Sequence, residues 1–147
     1  MTQRLPVLTV VTLGVRDMKQ SVRFYEALGF VRKVRATGDE IAFFEAGGTV
    51  LALWSWDKLA EDAATAGAFT QDAFRGSTLA WNCETDAQVD EAFACGIAAG
   101  GKAMRQPEPT GYGGYRGYFA DPDGHIWEVV RAPGFGFTGD GRLVLPD

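Results

Sequence analysis

The chain has 147 residues, 46% of them hydrophobic and 22% charged, with a formal net charge of -5 and a single histidine. That length suits one domain, able to bury roughly 70% of its unfolded surface, and the composition is ordinary for a soluble globular protein. The mildly acidic balance without a Lys/Arg cluster argues against nucleic acid, and no apolar run approaches the roughly 20 residues of a membrane span; the N-terminus MTQRLPVLTVV lacks a signal-peptide pattern, which predicts a cytoplasmic protein.

The near-continuous apolar run LPVLTVVTLGV, residues 5–15, predicts a first strand, central in its sheet and covered on both faces. Asp17 then suits the N-cap of a helix over MKQSVRFYEAL, with Met18, Val22, Tyr25 and Leu28 on one stripe and Gly29 as its stop. FVRKVRA, EIAFFEA and TVLALWSW follow as three short strands, separated by turn signals at Thr37-Gly38-Asp39 and Gly47-Gly48. Residues 57–76, Ala-rich and polar, read as a connector in which Asp57 caps a short helix. The pattern then repeats. STLAWNC is a strand, Thr85 or Asp86 caps a helix over AQVDEAFACGIAAG with Val89, Phe93 and Ile97 on one face, and KAMRQ, YRGYFA and HIWEVVR are strands.

Between the last three strands, PEPTGYGGY carries too many breakers for a regular element and predicts a mobile flap presenting Tyr112 and Tyr115; it lacks the GK[ST] ending of a phosphate loop. The tail GFGFTGDGRLVLPD has a hairpin signal at Asp140-Gly141 and is expected to fold back onto the body. Cys83 and Cys95 fit neither a disulfide framework nor a CxxC site and are read as small buried or half-buried side chains.

The element order is βαβββ twice, with a period of about 70 residues. This predicts an α+β fold in a single domain, with module one at about 5–56, the connector at 57–76, module two at about 77–131 and a tail at 132–147. Each module has one helix for one sheet face, so two modules can form a partial barrel around a small-molecule cavity. The hairpin YRGYFADPDGHIWEVVR is the most explicit stretch: Asp121-Pro122-Asp123-Gly124 has the chemistry of a type I turn. Alternation after it puts Ile126, Glu128 and Val130 on one face, where an unpaired charge on Glu128 would be costly.

VTLGVRDMKQSVRFYEALGF and GGYRGYFADPDGHIWEVV, with the paired βαβββ order, resemble the vicinal oxygen chelate superfamily, which includes glyoxalase I, extradiol dioxygenases, fosfomycin-modifying enzymes and bleomycin-binding resistance proteins. The resemblance covers about residues 5–133. It implies a homodimer and, in metal-dependent relatives, a divalent ion held from four strand positions. Only the last of these, Glu128, is a ligand here. The other three fall at Val10, Ala52 and Thr78, and neither they nor their neighbours Val11, Leu51, Leu53 and Ser77 suit a transition metal. No cofactor is therefore expected and a divalent metal is disfavoured. His125 reads as a solvent-facing turn residue.

With those positions apolar or neutral, Val10, Ala52 and Thr78 would line a cavity with Trp54, while Trp81 lines it or the helix-packed face and Tyr112 and Tyr115 approach from the flap. Val50 and Trp56 fall on the Ala52 face by the same alternation. Aromatics beside one carboxylate suit a small aromatic or cationic ligand. Glu128 has three readings: paired with an arginine such as Arg75 or Arg116, binding a polar or cationic ligand group, or acting as a catalytic acid or base with its pKa raised by burial. The functional expectation is metal-independent small-molecule binding; the alternative is a glyoxalase-like lyase or isomerase using Glu128 as acid/base or residual metal ligand.

Overall fold

The computed structural model describes residues 5–147; residues 1–4, on which the reading against a signal peptide partly rests, lie outside the described residues. Module one consists of β1 (Val10–Val15), α1 (Met18–Ala27), β2 (Val31–Lys33), β3 (Ile41–Ala46) and β4 (Thr49–Ser55), and its sheet order is β1-β4-β3-β2. After α2 (Trp56–Asp62), module two runs β5 (Thr78–Asn82), α3 (Asp86–Ala98), β6 (Lys102–Pro109), β7 (Tyr115–Ala120) and β8 (Ile126–Arg131), in the order β5-β8-β7-β6. The first strand of each module lies parallel to its last, the pairing a helical crossover permits. The two sheets do not close, leaving a partial barrel of two βαβββ modules.

Local chemistry explains the helix positions. The Asp17 side chain accepts from the Gln20 amide, and Thr85 and Gln88 form a reciprocal capping box at the start of α3. α1 buries Ser21, Val22, Phe24 and Tyr25, and α3 buries Val89, Ala92, Phe93 and Gly96. Both helices share one core: Phe24 meets Phe119 of β7, Tyr25 meets Trp127 of β8, and the Cys95 thiol lies 3.6 Å from the Ala27 carbonyl. Cys83 is buried and Cys95 half-buried.

Three local expectations change. The first strand begins at Val10 and occupies an edge of its sheet, with Val10 itself 42% exposed. Its alternate residues Val11, Leu13 and Val15 pack on the core, while on the other face Gly14 is buried against Trp56 of α2, so only the C-terminal end of the strand is covered on both faces. The segment expected to be a mobile flap is instead the end of β6 and a tight turn, closed by the Thr110 amide on the Gly114 carbonyl at 3.0 Å and the Gly114 amide on the Thr110 hydroxyl at 2.8 Å. β6 tolerates its prolines because it is an edge strand and its register against β7 shifts twice. Trp56 leaves the sheet to start α2, where its ring packs edge-on against Phe69 and stacks on His125.

The tail forms a small hairpin of β9 (Gly136–Phe137) and β10 (Leu143–Val144) around Asp140-Gly141 and lies against the body, as expected. Among the described residues no helix is long and apolar enough to cross a membrane.

Candidate functional site

Strand register divides the predicted site residues between two faces. On sheet one, Val10 pairs with Val50, Thr12 with Ala52, and Gly14 with Trp54, so Val10, Ala52 and Trp54 share the face opposite α1. Phe43, across from Ala52 on β3, joins them. On sheet two, Thr78 pairs with Ile126 and Ala80 with Glu128, placing Thr78 and Glu128 on the face opposite the core residues Trp127 and Val129.

Glu128 is half-buried, and the residue directly across from it on β7 is Tyr118. Burial first, and the adjacent Glu128 carboxylate second, push the Tyr118 hydroxyl above its ordinary value. Arg116, on the same face, places its guanidinium 5.8 Å from the Tyr118 ring but pairs with Glu108 at 3.3 Å, as Arg105 does at 2.6 Å. Arg75 is likewise committed, to the carbonyls of Thr70 and Asp123 at 2.8 Å each. Neither arginine considered as a structural partner therefore reaches Glu128, and among the described residues no cation pairs with it.

The other predicted ligand contacts lie elsewhere. Tyr115 donates its hydroxyl to Asp90 at 2.7 Å on the α3 side, and Tyr112 is exposed in the tight turn. Trp81, opposite Val129, lies on the helix-packed face rather than the Glu128 face; it packs against the core and lines a separate cavity of about 730 Å³ between the modules.

The DPDG turn is more than a hairpin closure. Asp121 and Asp123 are both only 2% exposed. Asp121 accepts the Asp123 and His125 amides at 2.9 and 2.8 Å and the Tyr25 hydroxyl at 2.6 Å. Asp123 accepts the Arg16 amide at 3.0 Å, its Nε at 3.2 Å and the Ser21 hydroxyl at 3.1 Å. These acids clamp module two onto the β1–α1 junction of module one. Burial is the main reason the Asp121 carboxyl is raised, and burial with the Asp121 charge pushes the Tyr25 phenol well up. His125 is not solvent-facing: its Nε2 lies 2.7 Å from the Gly14 carbonyl and its Nδ1 3.2 Å from Arg75. Those partners select the tautomer with hydrogen on Nε2, accepting from Arg75 at Nδ1.

Two of these residue groups escaped the sequence reading. Tyr118 could have been found by counting outward from the turn, since Ala120 opposite Ile126 puts Tyr118 opposite Glu128. The Ser21–Tyr25 half of the clamp had only a weak signal, two polar groups on the buried stripe of a helix.

Residues 7–129 match the model of the Glyoxalase/Bleomycin resistance protein/Dioxygenase superfamily. A glyoxalase-related enzyme from Fulvimarina pelagi is similar over 97% of this chain and 100% of its own, with 35% identity and a TM-score of 0.85. A glyoxalase/bleomycin resistance protein/dioxygenase from Nocardioides is 27% identical over 88% of this chain and 85% of its own, TM-score 0.71. Lactoylglutathione lyase from Agrobacterium tumefaciens, at 21% identity over 92% of this chain and 100% of its own with a TM-score of 0.69, shares the fold. Among curated proteins none matches the chain. On the matched span, the paired modules and the DPDG hairpin, this chain belongs to the glyoxalase/bleomycin resistance protein/dioxygenase superfamily.

Proposed function

We propose that this protein binds a small aromatic or cationic molecule on the sheet faces that carry Trp54 and Glu128, without a divalent metal. The observation that carries the reading is that Glu128 has no ionic partner among the described residues: it is a half-buried carboxylate between Ile126 and Val130, across from the neutral Tyr118, while Arg116 on that face pairs with Glu108. A bound cation would supply the missing charge, and Trp54 with Phe43 offers aromatic surface for a planar body.

A divalent ion does not fit the donor set. Val10 and Ala52 have no side-chain donor and Thr78 is a poor one, and among the described residues no group of three or more His, Cys, Asp or Glu is gathered. The exposure of Val10 and Thr78 on these faces supports a homodimer in which a second copy covers them.

One observation favours an enzyme as the second reading. Tyr118 beside Glu128 pairs a phenol with a carboxylate, an acid and a base within reach of one substrate. The resemblance to a glyoxalase-related enzyme points the same way. Titration of metal-stripped protein with a panel of aromatic amines, followed by tryptophan fluorescence, separates the two. Saturable binding weakened about tenfold or more by Glu128→Gln supports the binding reading. Turnover of the methylglyoxal–glutathione hemithioacetal, abolished by Glu128→Gln and by Tyr118→Phe, supports the enzyme.

A further inference from the structure

The two modules are related by register. Setting Val10 opposite Val50 against Thr78 opposite Ile126 places Gly47 where Asp123 stands in module two, and Gly48 where Gly124 stands. Gly48 and Gly124 both have positive φ, +104° and +81°, as equivalent turn positions should. On one side of this pseudo-symmetry the inter-module gap is filled by the buried carboxylates of Asp121 and Asp123. On the other side Gly47 has no side chain to fill it. Glu84, the counterpart of Arg16, has its amide satisfied by Gln88 Oε1 at 2.8 Å within its own capping box, so nothing there requires an acid.

What occupies the unfilled side is the 730 Å³ cavity, walled by both modules and partly roofed by the tail hairpin. That volume falls within the range of small-molecule sites. Phe30, Leu51, Trp81, Trp127 and Phe137 make its walls predominantly apolar and aromatic, and Arg142 is the one charged side chain lining it. The guanidinium lies against the Gly47-Gly48 turn, 3.0 Å from where a Cβ on Gly48 would stand. Its ionic partner is Asp140 at 3.4 Å, a pair exposed on both sides and so weak. Arg142 is thus free to exchange that partner for a carboxylate on a bound molecule.

We propose that this inter-module cavity is a second binding site, distinct from the Glu128 face, for a small molecule with an aromatic or branched apolar body and a single carboxylate, whose charge Arg142 receives. The sign of its one charge is opposite to that of the Glu128 face, so the two sites select different ligands.

The test uses the full chain with 2-naphthoate, its neutral isostere 2-naphthamide and the cation 2-naphthylmethylammonium. Binding is followed by the indole resonances of Trp81 and Trp127. The expected result is saturable binding of 2-naphthoate, weakened about tenfold or more in Arg142→Ala and for the amide, partly restored in Arg142→Lys, and unchanged in Glu128→Gln. Equal affinity for the acid and the amide, indifference to Arg142→Ala, or no shift of either indole would overturn the proposal. So would a cavity sealed by a second copy, seen as indole resonances that respond to protein concentration and not to 2-naphthoate. Because Glu128→Gln affects only the first site, failure of one site is distinguishable from failure of the other.

Discussion

Asp123 carries more of the architecture than its place in a turn suggests. Its buried carboxylate holds an amide, a guanidinium nitrogen and a hydroxyl from the other module, the hydroxyl in a buried setting and the two Arg16 groups in a half-buried one. Replacing it with alanine leaves the Arg16 amide and the Ser21 hydroxyl without their partner, so Asp123→Ala should cost about 3 kcal/mol in urea unfolding. Asp121 behaves differently. Its folded pKa is raised by burial, so the stability it contributes is fully present below its ordinary value of 3.8 and is lost as pH rises through the elevated folded value. Asparagine keeps an acceptor for the two amides and has no charge to bury. Asp121→Asn should therefore gain on the wild type as pH rises from about 4 to 7 in paired denaturation curves; a constant difference across that range would contradict the assignment.

Among the elements, α3 is the most tightly fitted. A Cβ on Gly96 would stand 2.7 Å from the Phe119 ring, which is itself fully buried beneath the helix. Gly96→Ala should destabilise by about 1–2 kcal/mol despite alanine's better helix propensity, because overpacking outweighs it. Thr85→Ala, which opens the capping box, should cost about 1 kcal/mol by the same measurement. Both helices and their caps were legible in the sequence, because a cap and a 3.6-residue stripe are local signals. The edge position of β1 and the strand hidden in PEPTGYGGY were not, since both depend on which strand lies alongside. Trp56 shows the same limit: alternation carries it onto the Ala52 face, whereas the chain turns into α2 one residue earlier.

For the whole molecule, the paired βαβββ plan and the superfamily could be read from residues, and the division of the site could not. Ala52 and Trp54 share one face as alternation requires, and strand register puts Val10 with them and Thr78 with Glu128, yet the cavity between the modules opens elsewhere and includes only Val50 and Trp81 of the residues placed on a cavity face. That cavity lies beside the Gly47-Gly48 turn, at the place where the other module has Asp123-Gly124, a difference visible only once the strands are in register. The most direct test of metal-independent recognition at Glu128 is calorimetric titration of an aromatic amine into chelator-treated wild type and Glu128→Gln. Binding to the metal-free wild type, unchanged by added divalent ions and weakened about tenfold or more in Glu128→Gln, is the predicted result. Binding that appears only when a stoichiometric divalent ion is restored would contradict it.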